Sequence, residues 1–421
     1  MTGNKVLVVG GGGREHAICR ALATAPGTEI LVAPGNPGTA AVARSLAVGA
    51  DDVAEVVRAA VAEGVDLVVP GPEVPLVAGL ADALGDARIA CCGPRAAAAR
   101  LEGSKAFTRV LAADAGIPGP EYRIVEDDAD IDAALAAFDG PPVVKADGLA
   151  SGKGVLLPDS IDECRVEVRR LLDGVLGSAG ATVVLEERLE GVEASLFYAC
   201  RGTDAVALPH ARDHKRLGDG DRGPNTGGMG AVSPNPIVDA GLERAVAETI
   251  VGPTLQAMVR RGAPFTGFLY AGLMLTTAGP MLLEYNVRLG DPEAQAILPR
   301  LAKGEFLEVC RWVAGLRHDA PALRFDRRPT CAVVVAADGY PASPRRGDPI
   351  TIDPGIEDAD RWFLHAGTAI ENGALVTAGG RVGAVVARGA TARRARQHAY
   401  AGVDLVTFAG KTVRHDVGGE T

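Results

Sequence analysis

The sequence predicts a multidomain chain of α/β and α+β class, with a parallel sheet at the N-terminal end and a mainly β unit at the C-terminal end. Strand-like and helix-like segments alternate up to about residue 103, and strands with short connections follow from residue 143. A further run of strands begins near residue 327. Alternation is typical of parallel sheets, whereas short connections are typical of antiparallel or mixed sheets. The 421 residues are enough for about two to four domains.

The N-terminal elements follow one another in a regular order. Residues 5–10 (KVLVVG) indicate a buried strand, and a glycine-rich loop and a helical pattern to about residue 25 come next. The apolar patterns then predict a strand at 29–33, a helix near 51–63 and a strand at 66–70. We therefore expect a parallel sheet with helices on both faces.

The first glycine-rich loop, Gly10–Ala17, has two possible ligands. A dinucleotide site needs an acidic residue at the end of the second strand, where it can hold the ribose hydroxyls. That strand instead runs into residues 33–39 (APGNPGT), which contain no carboxylate. A sugar phosphate is therefore the favoured ligand of these two loops, with N–H groups as donors. The candidate contacts are Gly11, Gly12, Gly13, Arg14, Glu15, Gly35, Asn36, Gly38 and Thr39.

A second glycine-rich loop lies between two predicted strands, in residues 143–155 (VVKADGLASGKGV). The first of these strands delivers Lys145. The loop adds four candidate phosphate contacts, which are Ser151, Gly152, Lys153 and Gly154. Such a loop can lay N–H groups and one ammonium over the phosphates of a nucleotide. It is not a Walker A loop, because no helix follows it. The alternative is a plain flexible hairpin.

Two further segments fit a nucleotide and its metal ion. An apolar strand from residue 182 runs into residues 186–193 (EERLEGVE), which can offer backbone groups to an adenine edge and a carboxylate to the ribose. In residues 282–293 (LLEYNVRLGDPE), Glu284 and Asn286 lie two apart on a predicted strand, so their oxygens share a face. Mg²⁺ prefers such oxygen ligands and usually bridges to phosphates. The alternative for residues 186–193 is a set of solvated glutamates at a strand end. The alternative for residues 282–293 is a strand that ends in a polar turn.

Composition excludes several classes of protein. The net charge of −10 argues against a general nucleic-acid or acidic-membrane surface. No apolar run approaches the roughly 20 residues that span a bilayer, and the N-terminus resembles no signal peptide. Seven cysteines without zinc-like spacing indicate buried thiols in a reducing compartment. We expect a soluble cytoplasmic protein that binds small molecules, with no nucleic-acid or membrane partner.

These motifs resemble those of the ATP-grasp superfamily, in which two α+β subdomains clamp ATP. The finer pattern is similar to the phosphoribosylamine–glycine ligase (glycinamide ribonucleotide synthetase) family, in matching order over most of the chain. Besides the two glycine-rich loops and the 33–39 loop, the matching motifs are PGPEVP (70–75), LEGSKAF (101–107), DHKR (213–216), GPNTGGMG (223–230) and RLGDPEAQAILP (288–299).

The resemblance implies a division of the chain and a reaction. The expected domains are an N-terminal α/β substrate-binding (pre-ATP-grasp) domain over 1–103, an ATP-grasp domain over 104–325 with a mobile lid at about 122–192, and a C-terminal β-rich domain over 326–421. The expected reaction is the ATP-dependent ligation of glycine to 5-phosphoribosylamine through a glycyl phosphate, in purine biosynthesis. It yields glycinamide ribonucleotide, ADP and phosphate. The alternatives are another ATP-grasp carboxylate–amine ligase or a carboxylase, and a nucleotide-binding regulatory module without turnover.

The resemblance also implies roles for individual residues. Lys105 and Lys145 contact ATP phosphates, and residues 151–154 cover them. The nucleoside is held by Glu186, by the backbone of Glu187, Arg188 and Leu189, and by Glu193. Glu284 and Asn286 bind Mg²⁺ or Mn²⁺. Arg288 and Lys215 stabilise charge on the transferred phosphoryl group, and Asp213 meets the ammonium of glycine. The remaining substrate contacts are Pro224, Asn225, Thr226, Gly227, Gly228, Asp291 and Pro292, the first five as part of a loop that supplies N–H donors.

The sequence departs from the ATP-grasp pattern at one candidate metal ligand. Many ATP-grasp enzymes carry a second acidic metal ligand about a dozen residues before the Glu-x-Asn pair. Here that segment, residues 272–277 (GLMLTT), has no carboxylate, so phosphates and water are expected to complete the metal's coordination. We expect a monofunctional enzyme that is a monomer or a weak dimer.

Overall fold

The structure, a computed structural model, describes residues 4–150 and 154–419. The N-terminal part forms a five-stranded parallel sheet of order β3-β2-β1-β4-β5. Its elements are β1 (Asn4–Gly10), α1 (Gly13–Leu22), β2 (Thr28–Pro34), β3 (Arg44–Ser45), α2 (Val53–Glu63), β4 (Leu67–Pro70), α3 (Glu73–Val77), α4 (Leu80–Asp86), β5 (Ala90–Cys91) and α5 (Ala96–Gly103). The parallel sheet predicted for this part of the chain is confirmed.

Both faces of this sheet are buried, which explains the unbroken apolar run in β1. Val6 and Val8 point to one face and join a core that includes residues of α1. Leu7 and Val9 point to the opposite face and pack with apolar residues of α2 and α4. Successive residues of a strand alternate between faces, so a strand covered on both sides must be apolar at every position.

The next segment builds a small sheet of order β6-β9-β7-β8, whose pairs are antiparallel. We call it the lid sheet. The elements between residues 105 and 186 are α6 (Lys105–Asp114), β6 (Tyr122–Val125), α7 (Ile131–Leu135), β7 (Val143–Ala146), β8 (Val155–Leu156), α8 (Ile161–Leu172) and β9 (Val183–Glu186). Apolar residues of α7 and α8 pack on the sheet in a core of their own, separate from that of the neighbouring sheet. The lid sheet is therefore a distinct packing unit.

A second antiparallel sheet, of order β11-β10-β16-β17, lies next to the lid sheet, and we call it the central sheet. Its elements and those that precede the C-terminal unit are β10 (Val192–Arg201), β11 (Asp204–Ala207), β12 (Arg212–Asp213), β13 (Arg216–Gly218), β14 (Arg222–Asn225), β15 (Gly230–Ser233), α9 (Ala240–Val246), α10 (Gly252–Arg260), β16 (Thr266–Thr276), β17 (Gly279–Asn286), α11 (Glu293–Ile297) and α12 (Glu305–Val313). The helical run from α9 to α10 is continuous, with one π-helical segment (Ala247–Val251) between them.

The C-terminal sheet has the order β12-β15-β18-β23-β20, with β25 also paired to β18. The elements of the C-terminal unit are β18 (Thr330–Ala336), β19 (Thr351–Ile352), β20 (Arg361–His365), β21 (Thr368–Glu371), β22 (Ala374–Thr377), β23 (Arg381–Arg388), α13 (Ala392–Val403), β24 (Val406–Thr407) and β25 (Thr412–Val413). Two small sheets, β19 with β24 and β21 with β22, are separate from the main one. Two of its strands, β12 and β15, come from before residue 326, so this sheet draws on both sides of the predicted domain boundary. The boundaries themselves remain predictions.

The overall class agrees with the sequence: an N-terminal parallel sheet, two antiparallel sheets in the middle and a mainly β C-terminal unit. Within the part of the chain that the structure describes, no helix combines the length and the apolar character needed to cross a membrane. Six of the seven cysteines are buried and all seven are free thiols, as the sequence indicates.

Candidate active site

A cavity of about 430 Å³ lies where the lid sheet, the central sheet and both terminal units meet. Twelve of the predicted site residues line it: Arg14, Lys105, Gly154, Glu186, Asp213, Lys215, Thr226, Gly227, Glu284, Asn286, Arg288 and Asp291. Its wall also contains charged and polar residues that sequence reasoning did not assign, chiefly Glu73, Glu102, Arg109, Tyr270, Glu293 and Arg381. Ser151, Gly152 and Lys153 lie outside the described residues.

Glu284 and Asn286 end β17, with their side chains on the face that borders the cavity. Among the described residues, none donates a hydrogen bond to the Glu284 carboxylate. Burial alone would raise the pKa of Glu284, but three lysine ammonium groups, Lys215 foremost, hold that pKa below its usual value. An ionised carboxylate without a protein partner, beside an amide oxygen, fits a divalent cation.

The metal would need ligands from outside the protein as well. In the described ranges, no cluster of three or more His, Cys, Asp or Glu side chains forms a metal site. The Asn286 Oδ1 atom also accepts a long hydrogen bond of 3.3 Å from Arg288 Nη2. Glu284 and Asn286 therefore fit a cation that shares its coordination with phosphate and water, as Mg²⁺ does at nucleotides.

Lys105 is placed by the start of α6. Ser104 caps this helix by accepting the Phe107 N–H at 3.0 Å, and Asp147 accepts the Ala106 N–H at 2.6 Å. The Lys105 ammonium lies 3.3 Å from the Gly148 carbonyl oxygen, in the second glycine-rich loop. Burial lowers the pKa of Lys105, although carboxylates such as Glu284 oppose the shift. The lysine is thus close to both the loop and the candidate metal ligand.

Lys145 and Glu186 form a buried ion pair at 2.7 Å. The Glu186 carboxylate also receives two hydrogen bonds from Arg109, at 2.7 and 2.8 Å. The cations hold the pKa of Glu186 below its usual value even though burial acts in the opposite direction. The side chain predicted to hold the nucleoside therefore has protein partners on both oxygens, and the nucleoside contact stays a prediction.

In the segment after β9, groups that were predicted to contact the nucleoside also have hydrogen-bond partners within the protein. The Glu187 N–H donates to the Glu121 carbonyl oxygen at 2.8 Å, and the Arg188 guanidinium donates to the Pro158 carbonyl oxygen at 2.6 Å. Glu193 accepts a hydrogen bond from the Lys215 ammonium at 2.8 Å. The structure thus pairs two residues for which the sequence predicted different ligands. Of this group, Glu187, Arg188, Leu189 and Glu193 lie outside the described wall of the cavity.

Arg288 is held by two carboxylates that the sequence did not connect with it. Its guanidinium lies 3.1 Å from Glu73 and 2.8 Å from Glu102. Burial raises the pKa of Glu102 to about 7, although Arg288 opposes the shift. Glu73 belongs to the PGPEVP motif and Glu102 to LEGSKAF, so these motifs carried a signal for the contact. The pairing fixes the orientation of Arg288 at the cavity wall.

Two carboxyl groups, those of Asp213 and Glu293, face one corner of the cavity. Asp213 Oδ1 is buried and, among the described residues, has no hydrogen-bond partner. Burial raises the pKa of Asp213 well above its usual range, and the nearby Glu293 raises it further. Glu293 folds back over Gly290, where a Cβ atom would lie 2.3 Å from its Oε2, so a larger residue at 290 would displace this carboxylate. Asp213 and Glu293 form an acidic site suited to an ammonium group.

Arg14 brings the first glycine-rich loop to the cavity, whereas its neighbours hold the loop in shape. The Glu15 carboxylate accepts the Gly12 N–H at 2.6 Å and contacts Arg14 Nε at 2.6 Å. Asn36 donates to the carbonyl oxygens of Gly11 and His365 at 2.9 and 3.0 Å. The side chains of Glu15 and Asn36, both predicted substrate contacts, are thus used within the protein.

The loop Thr226–Gly228 differs from the prediction that it offers free N–H donors. The Thr226 N–H donates to the Lys215 carbonyl oxygen at 2.9 Å, and the Gly228 N–H donates to Thr226 Oγ1 at 2.9 Å. The Gly227 N–H donates to the Tyr340 hydroxyl at 3.0 Å. These N–H groups would have to leave their partners before they could bind a substrate. Pro224, in the same predicted set, has no N–H to donate.

The C-terminal unit reaches into the same corner of the cavity through Arg381. Its guanidinium donates to the carbonyl oxygens of Gly227 and Asp291, the latter at 2.7 Å. It also lies 2.9 Å from the Asp291 carboxylate. Pro292 follows Asp291 through a cis peptide and packs against Gly228, where a Cβ would lie 2.4 Å from Pro292 Cδ. Sequence reasoning missed Arg381 and Tyr340, which lie in no motif.

A lid sheet that carries a glycine-rich loop, paired lysines beneath it and a Glu-x-Asn pair at the end of a neighbouring strand define an ATP-grasp protein. Models of phosphoribosylglycinamide synthetase match the chain in three consecutive parts. The N domain covers residues 4–102, the ATP-grasp (A) domain covers 103–294 and the C domain covers 330–420. The chain therefore belongs to the phosphoribosylglycinamide synthetase family.

Individual relatives agree with this assignment. The phosphoribosylamine–glycine ligase of Brucella melitensis is 44% identical over 416 residues, covering 98% of this chain and 97% of that protein. That of Streptomyces coelicolor is 46% identical over 417 residues, covering 98% of both. The crystal structure of the Thermotoga maritima ligase superimposes with a TM-score of 0.85 at 34% identity, covering 98% of this chain and 99% of that one. A biotin carboxylase from Campylobacter jejuni shares the fold alone, with a TM-score of 0.75 at 11% identity.

Proposed function

We propose that this protein is a phosphoribosylamine–glycine ligase that joins glycine to 5-phosphoribosylamine at the expense of ATP and releases ADP and phosphate. The observation that carries the proposal is the family match along nearly the whole chain, which includes every segment of the cavity wall. The product, glycinamide ribonucleotide, belongs to purine biosynthesis.

The reaction divides into two transfers that need placement and charge neutralisation. In the first, a glycine carboxylate oxygen attacks the γ-phosphorus of ATP, the bond to ADP breaks, and glycyl phosphate forms. In the second, the amine of phosphoribosylamine attacks the acyl carbon, the C–O bond to phosphate breaks, and the amine loses a proton. No protein nucleophile is required, so catalysis rests on positioned charges in a site that excludes water.

We assign the cations that line the cavity, and Lys145 beside it, to the phosphates. Lys105 and Lys145 contact the phosphates of ATP, and Lys215 and Arg288 neutralise charge on the transferred group. Arg288 is oriented for this by Glu73 and Glu102. A bound Mg²⁺ or Mn²⁺, held by Glu284 and Asn286, supplies further neutralisation of phosphate charge.

We assign the acidic corner to the amino acid. Glu293 is buried, and the buried Asp213 Oδ1 atom has no hydrogen-bond partner among the described residues, so an incoming ammonium group supplies the hydrogen bond that this atom lacks. The nearby loop Thr226–Gly228 and the Asp291–Pro292 peptide limit the space around that group. Arg14 and the first glycine-rich loop are left for the phosphate of the sugar substrate.

The test is ADP release in the presence of Mg-ATP. Glycine and phosphoribosylamine, generated in place from ribose 5-phosphate and ammonia, are added singly and together. We expect rapid ADP formation only with both. ATP turnover that ignores both substrates would retain the ATP-grasp assignment and reject this ligase function. A rate that instead depends on biotin and bicarbonate would favour the carboxylase alternative, for which only the shared fold speaks.

A further inference from the structure

Arg109 is a buried cation of the cavity wall with no role in the proposed chemistry. It lies on α6, four residues after Lys105, and is 2% exposed. Its Nε and Nη2 atoms donate to the two Glu186 oxygens at 2.7 and 2.8 Å. Its Nη1 and Nη2 atoms donate to the carbonyl oxygens of Leu282 and Leu283 at 2.8 and 2.5 Å. Four of the five guanidinium N–H donors are thus engaged by protein groups.

These contacts join three elements that carry candidate ATP ligands. Glu186 is the last residue of β9 in the lid sheet, whereas Leu282 and Leu283 belong to β17 of the central sheet. Leu283 immediately precedes Glu284, the candidate metal ligand. Arg109 therefore ties the lid sheet to the central sheet at the point where the two meet the nucleotide site.

Glu186 is shared between two cations. Its Oε2 atom lies 2.7 Å from the Lys145 ammonium and also accepts the Arg109 Nη2 hydrogen bond. The bidentate pair with Arg109 is the stronger geometry, since a planar guanidinium matches both carboxylate oxygens. Lys145 has a second, longer contact of 3.4 Å to the Leu283 carbonyl oxygen. An ammonium group has three N–H donors, so these two contacts leave one donor for a ligand.

We propose that Arg109 is a positioning residue for ATP, which occupies both oxygens of Glu186 and so leaves the Lys145 ammonium available to a phosphate. The proposal rests on the proposed role of Lys145 at the ATP phosphates. Without Arg109, the buried Glu186 carboxylate has Lys145 as its remaining cation. A buried carboxylate without its partner is costly, so the ammonium, already 2.7 Å from Glu186 Oε2, is held there more firmly and is less available to a phosphate.

This mechanism predicts that the effect of Arg109 runs through Glu186. Removing the charge of Glu186 as well removes the competitor for Lys145. The Arg109→Met and Glu186→Gln substitutions are therefore expected to be strongly non-additive, as groups in one network are. A role limited to holding the two sheets together predicts the opposite, because each lost contact then adds to the damage.

The experiment compares the affinity for a non-hydrolysable ATP analogue and the KM for ATP in four proteins: wild type, Arg109→Met, Glu186→Gln and the double variant. We expect Arg109→Met to raise both the dissociation constant of the analogue and the KM for ATP about tenfold or more. In the Glu186→Gln background the same substitution should change them less than about threefold. Arg109→Lys, which keeps a charge but loses the fork, should lie between wild type and Arg109→Met.

The matched control is Arg261→Met. This substitution removes the ion pair of 2.6 Å between Arg261 and Asp114, at the other end of the same helix α6. It should leave both constants unchanged. Unaltered analogue binding in Arg109→Met, or an equal loss in both backgrounds, overturns the proposal. If Arg109→Met does not fold, the comparison of Arg109→Lys with Arg109→Lys/Glu186→Gln decides in the same way.

The proposed ligase function and the proposed role of Arg109 can be rejected independently of each other. Analogue binding needs neither glycine nor phosphoribosylamine, so it tests Arg109 even if the ligase assay gives no product. Conversely, product formation with normal analogue binding in every variant retains the ligase and rejects the role of Arg109.

Discussion

The two ends of the cavity differ in whether their ionisable side chains have partners within the protein. At the end formed by α6 and the lid sheet, Lys145, Glu186 and Arg109 satisfy one another within 2.7–2.8 Å. At the other end, Asp213 Oδ1 is buried and has no hydrogen-bond partner among the described residues. The first end is already assembled by the protein, whereas the second leaves an acidic group for a cationic ligand to satisfy. Substitutions at the two ends should therefore fail in different ways.

Glu284→Gln should give the largest effect on turnover. The substitution removes the only charged candidate metal ligand of β17, and we expect kcat to fall at least about 100-fold. The cations that lower the pKa of Glu284 lose this charge in the variant, so the melting temperature should also fall by a few degrees while the protein remains folded. Steady-state ADP release and thermal unfolding measure the two quantities. Near-normal rates would remove Glu284 from the metal site.

Lys145→Ala should affect ATP use strongly and stability only weakly. Glu186 keeps its bidentate contact with Arg109, so the buried carboxylate is not left unpaired. We expect the KM for ATP to rise about tenfold to 100-fold, with a small change in the free energy of unfolding. Urea titration beside ATP kinetics separates the two. A variant that mainly unfolds would make Lys145 a structural residue and remove the contrast with Arg109→Met.

Asp213→Asn should weaken glycine use and yet stabilise the protein at neutral pH. Burial raises the pKa of Asp213 in the folded state, so the unfolded state loses this proton more easily. The carboxyl group therefore lowers stability as the pH rises above its unfolded pKa of about 4. We expect the KM for glycine to rise about tenfold and the melting temperature to rise by about 2 °C at pH 7.

The pH dependence of that stabilisation is the decisive control for Asp213→Asn. The gain in melting temperature should shrink as the pH is lowered through about 4 and vanish below about 3, where the wild-type carboxyl is neutral in both states. A lower melting temperature for the variant at pH 7 contradicts the unpaired state of Asp213. An unchanged glycine KM contradicts its place at the ammonium.

Tyr340→Phe should have the smallest effect. It removes the hydroxyl that accepts the Gly227 N–H, while Arg381 still holds the Gly227 and Asp291 carbonyl oxygens. One neutral hydrogen bond contributes about 1 kcal/mol, so the KM for glycine should change by less than about fivefold. Glycine titration at saturating ATP measures this. A loss as large as that of Asp213→Asn would place Tyr340 in direct contact with substrate.

The sequence predicted the elements of the fold well because their signals are local. The apolar run of β1 and the spacing of Glu284 and Asn286 can be seen within ten residues. The partners of these residues cannot, since Arg109 meets Glu186 across 77 positions and Arg381 meets Asp291 across 90. No local pattern marks either arginine.

Motif membership could have indicated some of the missed contacts. Glu73, Glu102 and Glu293 all lie in segments that carried the family resemblance, yet none was assigned a role. Whether a carboxylate binds a ligand or a neighbouring arginine depends on the folded arrangement. For the same reason the paired state of Glu186 and the occupied N–H groups of Thr226–Gly228 were not foreseen.

The composition of the C-terminal sheet has a consequence for synthesis on the ribosome. β15 pairs with β18, which begins about 100 residues later in the chain. A nascent chain that has not yet reached residue 330 therefore offers β15 no partner on that edge. Tyr340 and Arg381, which fix Gly227, emerge later still. The acidic corner of the cavity is thus completed only after residue 381 has emerged, so a shorter nascent chain carries the segments that we assign to ATP without a finished acceptor site.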